Sequence, residues 1–91
     1  MAQRTPDEIK NRIEALEGVL VAYTNIHELV DIIATHDDDK HDALLAEKFG
    51  LTPFQAEVVK QMRLRRLSPD ELKKTEEELA TLKAKLSVPT P

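Results

Sequence analysis

Side chains able to do chemistry are concentrated in two places. In the run T-H-D-D-D-K-H, the residues His36, Asp37, Asp38, Asp39 and His41 bring imidazole nitrogens and carboxylate oxygens together, the donors of a divalent-cation site. The two histidines do not fall at the four-residue spacing that sets a pair on one helix face, and no third, distant ligand is evident. The same letters read as an exposed loop whose last aspartate caps the next helix, with Asp42 in its first turn; that reading is preferred and no metal is expected. The second place is the basic run Lys60, Arg63, Arg65 and Arg66. Such a run can meet a phosphate backbone without reading bases. It equally suits the negative end of a helix, or pairing with Asp70 and Glu71. The formal charge of −4 and the lack of interleaved aromatics favour this second role, so any DNA contact is expected to be weak and non-specific.

Catalysis finds little in these letters. There is no cysteine, no glycine-rich phosphate loop, and no Ser/His/Asp set that periodicity brings together. Tyr23, the only tyrosine, falls on an apolar helical seam and reads as a packing residue with its hydroxyl at the rim. The histidines at 27, 36 and 41 read as surface residues. No catalytic residue and no cofactor are expected.

The elements that must position these groups are helical. The most informative stretch is 47–67, EKFGLTPFQAEVVKQMRLRRL. Phe49-Gly50-Leu51 reads as a helix end, with Gly50 free to adopt a left-handed conformation and Leu51 packing back. Thr52-Pro53-Phe54-Gln55 then opens a new helix: a threonine cap, proline at the first position, and Gln55 closing a capping box. The corner between the two helices is therefore tight and rigid. Two further boxes of the same form occur, Thr5-Pro6-Asp7-Glu8 and Ser68-Pro69-Asp70-Glu71.

A first helix is predicted over 6–23, with Ile9, Ile13, Leu16, Leu20 and Tyr23 at the alternating spacing of a coiled-coil seam. Gly18 interrupts it, either to let a partner backbone approach closely or to mark a bend, at a cost of roughly 1 kcal/mol relative to alanine. A second helix follows over 25–35, capped by Asn25 with Glu28 and carrying Ile26, Leu29, Val30, Ile32 and Ile33; it could continue the first through a kink. A third covers 39–49. A fourth covers 53–67, its apolar residues spread around most of its circumference. Either it is sandwiched between neighbours or one face is left for a partner protomer, with Phe54, Val58, Gln61 and Arg65 as the candidate stripe. A fifth runs over 69–87 with Leu72, Leu79, Leu82 and Leu86 on one side and Thr75 interrupting them. The fold class is all-α, an antiparallel two-helix coiled-coil stalk (6–23 and 69–87) capped by a three-helix globular knob (25–67), with flexible ends at 1–5 and 88–91.

Ninety-one residues bound this to one small domain over 1–91 with an aliphatic core, since only two phenylalanines, one tyrosine and no tryptophan are present. No apolar leader is seen at the N-terminus, and no apolar run approaches the ~20 residues that span a bilayer. A soluble cytoplasmic protein without membrane contact is expected.

Several segments carry a family resemblance. Leu16-Glu17-Gly18, Val21-Ala22 and Asn25-Ile26-His27-Glu28 through Ile33 resemble the part of the gyrase and topoisomerase IV A subunits that ends an ascending coiled-coil arm. Phe49-Gly50-Leu51-Thr52, Gln55-Ala56 and Met62-Arg63-Leu64-Arg65-Arg66-Leu67 resemble the family's F-G-L-S, Q-A and M-R-L-x-x-L run, and Glu76-Glu77-Glu78 its acidic descending arm. The resemblance covers about residues 9–86. It implies the exit gate (C-gate) of a type IIA topoisomerase, a coiled-coil stalk bearing a helical knob that meets its own copy across a two-fold axis. Nothing here corresponds to the domain that carries the family's catalytic tyrosine, and Tyr23 does not inherit that role. Lys60 and Thr75 stand at apolar family positions, and Pro69 where glycine is common. The implied function is a non-catalytic homodimerisation module, whether freestanding or a piece of a larger protein. Leu51, Phe54, Val58, Gln61, Met62 and Arg65 form its expected dimer surface, and Lys60, Arg63, Arg65 and Arg66 its possible phosphate contacts. The alternatives are a small homologue that binds and modulates the A subunit of a full-length topoisomerase, or a weak DNA-backbone binder.

Overall fold

The computed structural model describes residues 5–87; the expected flexible ends at 1–4 and 88–91 lie outside the described residues. Five α-helices and one 3-10 turn make up the described chain, and none of its residues is in a strand, as the all-α prediction requires. Thr5, counted above with the flexible end, caps α1 (Pro6–Thr24): its hydroxyl accepts the Glu8 amide at 3.2 Å, and Asp7 and Glu8 face the helix dipole. Only Asn25 separates α1 from α2 (Ile26–Thr35). Asn25 does not cap α2 with its side chain, contrary to expectation. Its amide instead donates back to the Val21 carbonyl at 2.9 Å, and its backbone N–H bonds the same oxygen. The Leu29 N–H reaches the Asn25 carbonyl, so the ladder runs on through a kink.

The polar loop is shorter than predicted. Asp37, not Asp39, is the residue that precedes α3 (Asp38–Phe49), which ends at Gly50 with φ 70°, the one left-handed residue described. Thr52 and Gln55 close the expected capping box reciprocally at 3.0 and 3.1 Å and start α4 (Pro53–Gln61). This helix stops at Gln61, six residues before the predicted end. Met62 and Arg63 are extended, and Leu64–Leu67 forms a 3-10 turn. Pro69 disfavours the helical region for Ser68, so the run could not have passed Leu67 in any case. The break two residues after Val59 lets Met62 pack inward, which a continuous helix with apolar residues on every side could not do for all of them. Ser68 then opens α5 (Pro69–Ser87), accepting the Glu71 amide at 3.4 Å.

Two apolar clusters hold these elements. One gathers Ala22, Leu29, Ile32, Leu45, Leu51, Ala56 and Val59, with Ile26, Phe49 and Met62 against its edge. The other packs Leu16 on α1 against Leu79 and Leu82 on α5, with Ile9, Ile13 and Leu20 beside them. Each fully buried leucine contributes about 2 kcal/mol of hydrophobic stabilisation. Thr75 does not interrupt the α5 face: it is 1% exposed and donates its hydroxyl to the Glu71 carbonyl at 2.9 Å. Tyr23 departs from the seam, half exposed at the end of α1.

A second stripe on α1 was not foreseen. Ala15, Gly18 and Ala22 are buried, and the backbone at Gly18 is closely approached by α4: a Cβ there would meet the Gln55 Cβ at 3.1 Å and Cγ at 3.2 Å. Gly18 thus serves close approach, within the chain. Gln55 fastens the crossing by donating its amide to the Glu14 carbonyl at 2.9 Å, while the Thr52 hydroxyl donates to the Glu14 carboxylate.

Candidate interaction surface

The residues expected to form a dimer surface separate in the structure. Leu51 is 3% exposed inside the larger core, so its side chain is committed within the chain and cannot meet a partner. Phe54 is exposed and Val58 half-buried in a shallow cleft against Glu8, Asn11, Arg12 and Ala15 of α1. The Gln61 amide donates to the Glu57 carboxylate. Arg65 does not extend this stripe, because α4 has ended and the chain has turned. Met62 is half-buried and faces a different depression.

That depression is a cleft of about 340 Å³ between α2 and the segment after α4. Ile26, Leu29, Val30, Ile33, Val59, Met62, Leu64 and Leu67 supply its apolar lining, and Asp38, His41 and Lys60 its polar edge. Leu64 is 79% exposed, and Val30 and Ile33 also stand open to solvent. A folded chain rarely leaves such side chains together without a contact to make. Sequence reasoning placed α2 in the globular knob and left no open apolar face on it. The signal against that was available: Ile26, Leu29, Val30, Ile32 and Ile33 cover more arc than one core face needs.

Lys60, offered for phosphate, is engaged. Its Nζ lies 2.7 Å from the Asp42 carboxylate and 3.4 Å from that of Glu57, and the bond to Asp42 raises its pKa above the usual lysine value. Arg66 faces Glu71 at 4.0 Å. Arg63 and Arg65 are exposed on either side of Leu64, and no ion pair to either is seen among the described residues. Arg63 and Arg65 line a depression with Met62, Arg66 and Glu71.

His41, read as a surface residue, is buried at 4% exposure. Its Nε2 lies 2.7 Å from the His36 carbonyl, which makes that nitrogen the proton-bearing donor, and its Nδ1 is 3.7 Å from the exposed Asp38 carboxylate. The imidazole ties the start of α3 to the end of α2, a structural role. No grouping of three or more His, Asp or Glu able to hold a metal occurs among the described residues. No helix among them is long and apolar enough to cross a membrane.

Between α1 and α5, Arg12 makes a bidentate pair with Glu78, Nε to Oε2 at 2.7 Å and Nη2 to Oε1 at 3.0 Å. This pairing raises the Arg12 pKa. Lys83 reaches Glu17 at 3.5 Å.

No known family profile matches the chain. Individual proteins do. The A subunit of DNA topoisomerase 4 from Rickettsia felis is 43% identical over 61 residues, 67% of this chain and 8% of its own length. The Escherichia coli K12 protein of the same name is 40% identical over 62 residues, 68% and 8% of the two chains. The A subunit of DNA gyrase from Ureaplasma parvum is 42% identical over 74 residues, 77% and 9%. The chain spans about a tenth or less of the length of the curated relatives it matches. At this identity, over most of a short helical chain, the relation is homology: the chain is a relative of one short segment of the topoisomerase IV and gyrase A subunits.

Proposed function

We propose that the chain is a non-catalytic, self-associating module of the kind that forms the exit gate of type IIA topoisomerases, acting in the cytoplasm with such an enzyme. In this reading α1 and α5 are the arms of an antiparallel coiled-coil stalk, and α2 to the 3-10 turn form the knob. The observation that carries it is the α1–α5 seam. Ile9, Ile13, Leu16 and Leu20 take a and d positions in one cluster with Leu79 and Leu82, and the buried Leu72 and Thr75 continue the same register along α5. On that register Arg12 and Glu78 both fall at g, and Glu17 and Lys83 both at e. Pairs of like letter, g with g and e with e, are those that antiparallel helices bring together. Both pairs are about a third or more exposed, so they set orientation more than stability. A stalk of this kind carries no nucleophile and no metal ligand set of its own, and its role is mechanical.

Light scattering on the purified chain at micromolar concentration tests the reading. A mass of twice 10.3 kDa is expected, and a monomer overturns it. The same surface would accept the corresponding segment of a full-length topoisomerase, and a pull-down between the two is expected to recover the complex. A second reading draws on Arg63 and Arg65: weak contact with a DNA backbone. Two phosphate contacts give a salt slope of about −2 in log–log form. Absence of any mobility shift with duplex DNA at low salt dismisses it.

A further inference from the structure

We propose that the depression beside the 3-10 turn is a binding site for a phosphate monoester, the group carried by small phosphorylated molecules and by the 5′ end of a nucleic-acid strand. The site does not depend on self-association, and its ligand differs from the backbone diester considered above. Met62, Arg63, Arg65, Arg66 and Glu71 line the hollow, which measures about 320 Å³.

The break after α4 creates it. On a helix running through to Leu67, each residue steps by about 100°, so Arg65 would lie about 200° around from Arg63 and face away from it. The chain instead is extended at Met62 and Arg63 and turns in 3-10 form over Leu64–Leu67. The Arg66 N–H bonds the Arg63 carbonyl and the Ser68 N–H the Arg65 carbonyl, both at 3.0 Å, which fixes the turn. All three arginines then border one hollow.

The charges select the ligand. Three guanidinium groups against the single Glu71 carboxylate leave an excess of two positive charges. A phosphate monoester carries about −1.5 to −2 at pH 7 and balances that excess, whereas a carboxylate or one backbone diester carries a single charge. Arg66 stands 4.0 Å from Glu71, beyond hydrogen-bond distance, so its donors stay open to a ligand while the carboxylate holds it near. Arg63 and Arg65 are exposed, with no ion pair among the described residues. Lys60 is tied to Asp42 and Glu57 and does not line the hollow. The planar fork of each arginine can meet two phosphoryl oxygens at once, which adds geometric selection to the charge match.

The test uses the full chain and fluorescence anisotropy of a short 3′-labelled single-stranded DNA, with or without a 5′-phosphate. The phosphorylated strand is expected to bind at least about tenfold more tightly. Affinities for the two strands within about twofold of each other, or no binding of either, overturn the proposal. A variant with Arg63→Gln and Arg65→Gln is expected to lose the preference; both side chains are exposed, so the fold is kept, checked by circular dichroism. A variant with Lys73→Gln and Lys74→Gln removes the same charge from exposed positions of α5 outside the hollow and is expected to retain the preference. A preference that survives the arginine changes, or falls equally with the lysine changes, overturns the site. Inorganic phosphate is expected to displace the phosphorylated strand from the wild type at ionic strengths where chloride does not, and a failure to do so counts against the site. Adenosine 5′-monophosphate separates the two sources. Competition as strong as that of the phosphorylated strand assigns the site to small phosphorylated molecules, weaker competition assigns it to strand ends, and both uphold it.

Discussion

Gly18 and Gln55 show how much can turn on one missing methyl group. Alanine at 18 would gain about 1 kcal/mol of helix propensity. Its Cβ, however, lands 3.1 Å from the Gln55 Cβ, and Gln55 cannot swing away because its side chain holds both the Thr52 amide and the Glu14 carbonyl. Overpacking of this kind costs roughly 1–3 kcal/mol. Gly18→Ala is therefore expected to lower stability by about 1 kcal/mol, a Tm loss of roughly 4–8 °C for a domain of this size. In a Gln55→Ala background, where those ties are gone, the loss is expected to shrink; thermal unfolding of the four proteins checks it. From letters alone, Gly18 read equally as a bend or a close approach, since what fills the space over a glycine lies on a residue distant in sequence. His41 escaped for the same reason: the carbonyl that satisfies its buried nitrogen belongs to His36, and only the fold brings the two together. Lys60 offers a pH test. Its pKa is raised by Asp42, so the pair stabilises the fold fully below the ordinary lysine value of about 10.4 and is lost as pH rises through the higher folded value. The Tm difference between wild type and Lys60→Met is expected to hold from neutral pH and to fall towards zero at strongly alkaline pH.

At the scale of elements, helix starts were written plainly and helix interiors less so. All three Ser/Thr-Pro-x-Glu/Gln boxes open a helix where they should, because caps are local chemistry between residues three apart. The end of α4 was not legible. Its hydrophobic letters suit a helix as far as Leu67, and the extended pair Met62-Arg63 follows from where the core needs Met62, a tertiary demand. Thr75 is a milder case. Its polarity suggested an interruption, yet its hydroxyl satisfies itself on the preceding turn and its methyl packs. Thr75→Val is expected to lie within about 0.5 kcal/mol of wild type or to be more stable by up to about 1 kcal/mol, since no buried group loses a needed partner. Thr75→Asp, which places a charge in the seam, is expected to cost several kcal/mol. Denaturant midpoints distinguish the two. The stripe Ala15, Gly18 and Ala22, the bed for α4, went unread, because the helix that fills it lies far along the chain.

The described residues form an elongated body of 51 × 26 × 22 Å, with one apolar cluster along the α1–α5 pair and another among the end of α1, α2, α3 and α4. That division suits a lever with a contact surface at one end. It places the exposed Val30, Ile33 and Leu64 on the second cluster's outer side, away from the α1–α5 seam. The chain is homologous to a segment of topoisomerase IV and gyrase A subunits, and the self-association proposed above is the property on which the functional reading depends. Sedimentation equilibrium of the full chain over roughly 1–100 µM measures it directly. The mass is predicted to climb to twice 10.3 kDa within that range, and a single species of 10.3 kDa at every concentration contradicts it.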